Sequence, residues 1–76
     1  MEERTLTFGE KAVGLTFNPS NDPKVQEVKE LFAKIIDICN DARGAERSEK
    51  ARLFSVAITE AQAAHMGLVK ALTWKD

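Results

Sequence analysis

Residues 45–74 read A-E-R-S-E-K-A-R-L-F-S-V-A-I-T-E-A-Q-A-A-H-M-G-L-V-K-A-L-T-W, rich in alanine and free of proline. Leu53, Ala57, Ala61, Ala64, Leu68 and Ala71 recur at spacings of three and four. Phe54, Ile58, Ala61, Leu68 and Leu72 form a second row beside them. The period is helical and the apolar face is wide. At ~1.5 Å per residue, this stretch would reach about 45 Å. So short a chain cannot cover a helix of that length by itself, and the fold expectation follows from the mismatch.

The chain has 76 residues, which bounds it to one domain over 1–76. A domain of this size buries only about 60% of its unfolded surface. Small chains usually add disulfides, a metal or oligomerisation. One cysteine, Cys39, rules out an intrachain disulfide, and with one histidine it makes a zinc site in one chain improbable. Oligomerisation remains, and a symmetric homo-oligomer is expected. Eleven basic residues against twelve acidic ones argue against a duplex nucleic-acid binder. A small anion needs only a few local cations. No apolar run reaches the ~20 residues of a membrane span. The polar start M-E-E-R-T-L-T does not read as a signal peptide. A reducing cytosol is the expected compartment.

Upstream, Asn18-Pro19-Ser20-Asn21-Asp22-Pro23 is the strongest punctuation. Asp22 suits an N-cap and Pro23 the first helical position. A first long helix is expected over 22–43, with Val25, Val28, Leu31, Phe32, Ile35, Ile36, Ile38 and Cys39 as its apolar stripe. Phe32 and Ile36 are expected to meet another subunit or the N-terminal segment. Gly44 suits the helix end. The short link favours antiparallel neighbours. The second long helix is placed at 46–74, with a start at Ser48 or near Ala45 both open. Residues 1–21 read as an N-terminal arm or short helix. Phe8 to Val13 fits one helical turn, and Gly14 to Phe17 reads as extended, with Leu15 and Phe17 on one face. Phe8, Leu15 and Phe17 are expected to pack onto the helices. The fold class is therefore all-α: an antiparallel helical hairpin with a short N-terminal arm or helix.

No catalytic set emerges. His65 has Ala61 and Val69 as its i−4 and i+4 neighbours, so no helical metal pair exists. It reads as a partly buried or interface histidine, and Cys39 as a small buried hydrophobe. There is no P-loop, dinucleotide fingerprint or paired metal carboxylate. No enzyme, cofactor or metal is expected. Binding groups are better represented. Arg52, Ser55, Thr59, Gln62 and Met66 run along one side of the second helix. Arg recognises phosphate bidentately, and hydroxyls add donors or acceptors. Either Arg52 pairs with Glu49 or Glu46 on a solvated face, or copies of Arg52 and Thr59 converge at a symmetry axis. A second set lies at the first helix start. Phe17 offers a stacking face, Asn18 and Ser20 hydrogen bonds, and Lys24 or Lys29 charge. The alternative there is a capped helix with a buried Phe.

The run Arg52…Ala57-Ile58-Thr59-x-x-Gln62-x-x-x-Met66-x-Leu68-Val69-Lys70-Ala71 resembles the hairpin domain of small phage anti-defence proteins. Gly14-Leu15-Thr16-Phe17-Asn18-Pro19-Ser20, before a Val-Gln-Glu-Val-Lys-Glu-Leu helix, is similar to the lead-in of some members. The likeness covers about residues 14 to 74 and points to the anti-CBASS nucleotide sponges, whose hairpin is shared with one class of anti-Thoeris sponge. It implies an all-helical homohexamer that holds cyclic di- and trinucleotides intact in the cytoplasm of an infected bacterial host, with no duplex nucleic acid and no membrane involved. The resemblance gives Phe17 and Lys29 to a dinucleotide pocket between paired subunits. It gives Arg52 and Thr59, with Gln62 adjacent, to a trinucleotide pocket where three subunits meet. The family's usual aromatic is Tyr, whereas this chain has Phe17, which stacks but donates no hydroxyl hydrogen bond. A helical module that blocks a host protein is the rival reading.

Overall fold

The structure, a computed structural model, describes residues 5–76; the first four residues of the expected arm lie outside them. Three helices follow in order: α1, Phe8–Val13; α2, Pro23–Arg43; and α3, Glu49–Thr73. No strand occurs among the described residues.

Local chemistry sets the helix ends. Asp22 caps α2 by accepting a hydrogen bond from the Lys24 N–H at 2.9 Å, and Pro23 stands first in the helix. Gly44 ends it with a positive φ of 59°. Ser48 caps α3 by accepting from the Ala51 N–H at 3.1 Å. Helix α3 therefore starts at Glu49, three residues later than the expected 46, because the hydroxyl takes up a backbone donor that an earlier start would place inside the helix. At its far end Trp74 is a cap in extended backbone and Thr73 the last helical residue.

Contacts between α2 and α3 run in opposite directions along the two helices. Arg43, at the end of α2, donates to the Ser55 hydroxyl near the start of α3 at 3.1 Å. Mid-helix, the Phe32 and His65 rings meet edge-on with centroids 5.8 Å apart. Val25 and Lys29 share a cavity wall with Val69 and Thr73. The pair is an antiparallel hairpin. Its core is Val13, Leu15, Ala33, Ile36 and Ile58, drawn from all three helices and the turn after α1. Each of its Val, Leu and Ile side chains contributes about 1.5–3 kcal/mol when fully buried. Ile36, expected at another subunit or at the N-terminal segment, is fully buried within this chain.

Helix α2 holds α1 at both ends. Thr7 opens α1 with a capping box: its hydroxyl accepts from the Glu10 N–H and its own N–H donates to the Glu10 carboxylate. The Asp37 carboxylate then accepts from the Thr7 hydroxyl at 2.7 Å and the Gly9 N–H at 2.6 Å. At the other end the Lys29 ammonium donates to the Val13 carbonyl at 2.7 Å and the Gly14 carbonyl at 3.2 Å. An anion stands at the N-terminus of α1 and a cation at its C-terminus, the signs its dipole favours. Gly9 permits the approach, since a Cβ there would run into the Ala33 carbonyl and lie 2.9 Å from Asp37 Oδ1.

Two expectations for the N-terminal segment need correction. Residues 14–16 form a turn, not an extended strand. Gly14 takes φ 63°, its N–H donates to the Lys11 carbonyl and the Leu15 N–H to the Glu10 carbonyl, and Phe17 N–H closes back onto Gly14 at 2.8 Å. The turn breaks the strand alternation. Leu15 goes into the core while Phe17 is 71% exposed and Phe8 also stands out of the core.

The Cα framework measures 44 × 38 × 12 Å. Three helices leave part of their apolar surface uncovered. Leu31, Ile35 and Ile38 of α2 and Leu53, Val56, Met66 and Leu68 of α3 are all exposed.

Candidate functional site

The turn after α1 puts Phe17 between two cavities. The larger, a groove of about 590 Å³ between α1 and α3, is lined by Lys11, Phe17, Thr59, Gln62, His65 and Met66 among others. This size lies within the range of small-molecule sites. The smaller, about 230 Å³, has Phe17, Asn18, Val25, Lys29, Val69 and Thr73 on its walls. One aromatic ring therefore borders both.

The six residues singled out in the sequence are distributed as follows. Phe17, Thr59 and Gln62 line the larger groove, although roughly forty residues separate the first from the other two. Phe17, Asn18 and Lys29 line the smaller one. Asn18 is also tied into the cap of α2: its amide donates to the Asp22 carbonyl at 3.2 Å and its carbonyl oxygen accepts from the Ser20 hydroxyl at 2.7 Å. Lys29 is buried. Its two donor bonds go to the carbonyls at the end of α1. Burial depresses its pKa.

Arg52 stands apart from both cavities. It lines a concavity of about 390 Å³ at the hairpin turn, with Arg43, Arg47, Ser48 and Ser55. Its guanidinium holds Glu49 bidentately, with both contacts at 2.7 Å. That bond lowers the Glu49 pKa and raises that of Arg52. The solvated pairing allowed by the sequence is thus present in the isolated chain. The Thr59 hydroxyl donates back to the Ser55 carbonyl at 3.3 Å. A single chain does not bring Arg52 and Thr59 into one cavity. Arg43 reaches three elements: its guanidinium bonds Asn40 and Ser55 and lies 5.3 Å from the Phe8 ring centroid.

Sequence reasoning passed over Lys11 and His65 as groove residues, and Arg43 and Arg47 at the turn. Met66, in the candidate row with Thr59 and Gln62, does line the groove. Lys11 had no sequence signal, because its place depends on how α1 docks. His65 is buried against Phe32, and its Nε2 has no hydrogen-bond partner among the described residues. Burial lowers its pKa first, and the nearby Lys29 charge lowers it further. Among the described residues no three His, Cys, Asp or Glu side chains are grouped to hold a metal. Nor is any helix there long and apolar enough to cross a membrane.

A model of the Acb2/Tad1 hairpin-domain family matches residues 10–73. The chain belongs to that family. The match includes most of α1, all of α2 and α3, and every residue of both cavity sets. It is the anti-CBASS and anti-Thoeris sponge family to which the Arg52–Ala71 motif pointed. Comparison with curated proteins gave no match. Comparison with solved structures gave none either.

Proposed function

We propose that this chain is a non-enzymatic phage sponge that sequesters cyclic oligonucleotide second messengers and so keeps a host immune effector from being triggered. The observation that carries the reading is the family match across 10–73. The meeting of Phe17, Asn18 and Lys29 on one cavity wall supports it. In this reading a base stacks on Phe17, and cations near the cavities neutralise phosphates. The proposed ligands are cyclic dinucleotides, such as cyclic GMP-AMP, and cyclic trinucleotides. The working site is the cytoplasm of an infected bacterial host.

The assembly proposed is a homohexamer. Its support is the exposed apolar rows on α2 and α3. Phe17, Asn18 and Lys29 would serve a dinucleotide pocket between paired subunits. Arg52, Thr59 and Gln62 would serve a trinucleotide pocket where three copies meet. Engagement of phosphate by Arg52 requires it to exchange or share its bond with Glu49. That pair is fully solvated, and exposed ion pairs are weak.

Calorimetric titration against cyclic di- and trinucleotides, with linear dinucleotides as controls, tests the reading. Submicromolar binding of cyclic species only, with intact ligand recovered after denaturation, is the expected outcome. Absence of heat and of thermal shift with every cyclic ligand would turn the reading to the rival, a helical module that blocks a host protein. Arg52→Ala and Thr59→Ala should weaken trinucleotide capture and leave dinucleotide capture in place.

A further inference from the structure

We infer that Lys29 acts in the smaller cavity as a positioning residue: through the Gly14 carbonyl it fixes the place of the Phe17 ring, and it serves the ligand by way of that ring. The inference rests on the nucleotide reading above and changes the work assigned to one residue in it.

Packing does little to hold the ring, since Phe17 is 71% exposed. Its place is set by the turn after α1, which closes when the Phe17 N–H donates to the Gly14 carbonyl at 2.8 Å. The same carbonyl accepts from the Lys29 ammonium at 3.2 Å. A carbonyl oxygen has two lone pairs. One is taken by the residue that bears the ring and the other by α2. The shorter bond of the ammonium, 2.7 Å, goes to the Val13 carbonyl one residue earlier. A single cation thus ties two successive carbonyls to α2, and bonds from a charged donor are roughly twice as strong as neutral ones. Beyond the ring, Asn18 is anchored to the Asp22 carbonyl. Lys29 supplies the anchor on the near side.

The surroundings of the ammonium fit this work. Lys29 is buried, and a buried charge is tolerated where hydrogen bonds replace its water. The Val13 and Gly14 carbonyls do so here. Two of the three N–H groups are committed to them. A phosphate that drew the ammonium away would strip both carbonyls of this donor and release the turn. Phe17 and Lys29 line one cavity. There the exposed ring offers the stacking face, and the buried ammonium anchors it.

A double-mutant cycle tests the inference, with cyclic GMP-AMP titrated into wild type, Lys29→Met, Phe17→Ala and the double variant. Lys29→Met keeps a long apolar stem and removes the ammonium. Phe17→Ala should weaken binding about tenfold or more, the size of one lost base stack. Lys29→Met should also weaken it, and the double variant should bind no worse than Phe17→Ala alone. A Lys29 loss that recurs in full in the Phe17→Ala background means a direct phosphate contact or a general loosening of the fold, and overturns the inference while sparing the sponge reading. Either single variant binding like wild type overturns it as well. If wild type binds no cyclic dinucleotide, the inference falls, and the sponge reading falls with it only if cyclic trinucleotides are not bound either. Should Lys29→Met not fold, nuclear magnetic resonance of the wild-type complex decides. Couplings across the hydrogen bonds from Lys29 Nζ to the Val13 and Gly14 carbonyl carbons should persist at saturation. Their loss, or a coupling from Nζ to the ligand phosphorus, overturns the inference.

Discussion

The two long helices of the hairpin bury their apolar residues to different degrees. Helix α2 lies between α1 and α3 and buries Val25, Lys29, Ala33 and Ile36. Helix α3 is the more alanine-rich and has no lysine or aspartate in its middle, yet it buries only Ile58 and His65. Leu53, Val56, Met66 and Leu68 stand exposed, while Phe54, Ala57, Ala61, Val69 and Leu72 are half-buried. The comparison teaches that α2, although Leu31, Ile35 and Ile38 stand out, finds more of its cover inside the chain than α3 does.

Paired substitutions break or sharpen this contrast. The largest effect is expected at Ile36, fully buried at the centre of the core. Ile36→Ala should lower stability by about 2–5 kcal/mol. Val56→Ala, on the exposed side of α3, should cost no more than about 0.5 kcal/mol in a lone chain. Urea denaturation of both variants at several protein concentrations checks this. A large loss for Val56→Ala that grows with concentration would mean that another copy covers α3.

The glycines give a second pair. Gly9→Ala forces a Cβ against the Ala33 carbonyl and Asp37, and overpacking of this kind costs about 1–3 kcal/mol. In Gly67→Ala the new Cβ meets nothing within 4 Å. There the variant should gain up to about 1 kcal/mol through helix propensity. Thermal denaturation of each variant reads the difference. A Gly67→Ala variant that is destabilised or dissociates would show that a second helix approaches α3 closely at that point.

The smallest effect is a pH dependence carried by His65. Its folded pKa lies below the ordinary 6.5. The unfolded chain therefore binds the proton more readily, and stability rises with pH across this window. The contribution is fully present above 6.5 and is lost as pH falls through that value towards the folded pKa. The thermal midpoint should decline on acidification through this range, and His65→Phe should remove part of that decline. An identical decline in the variant would place the acid sensitivity elsewhere.

Elements fixed by neighbouring residues were legible in the sequence. The Asp22-Pro23 pair announces the start of α2, and the spacing of apolar residues announces both long helices. The start of α3 was ambiguous because Ala45 and Ser48 both satisfy local rules, and only the observed bond from the Ala51 N–H to the Ser48 hydroxyl decides. Leu15 and Phe17 were assigned to one face by alternation. The αL residue Gly14 instead closes a turn and sends them apart. The site was legible in its parts. Phe17, Thr59 and Gln62 each carry a binding group, but their meeting depends on docking of α1 against α2. That docking rests on Lys29 and Asp37, whose sequence surroundings show only two charged residues on a helix. Lys29 read as a source of charge for a ligand, because a bond to a carbonyl far along the chain leaves no periodic trace.

The grip of Asp37 and Lys29 on α1 also makes α2 a ruler. The two residues stand eight positions apart, about 12 Å of helix, and a six-residue α1 with a cap at each end fills that span. Inserting one residue between positions 29 and 37 would lengthen the ruler by ~1.5 Å and swing one jaw about 100° around the axis. Helix α1 would then lose one of its two anchors, and the Phe17 ring would lose its address. The same insertion between Arg43 and Ser48 would only lengthen a loop. The chain thus keeps its measuring length in the first half of the hairpin and its slack at the turn.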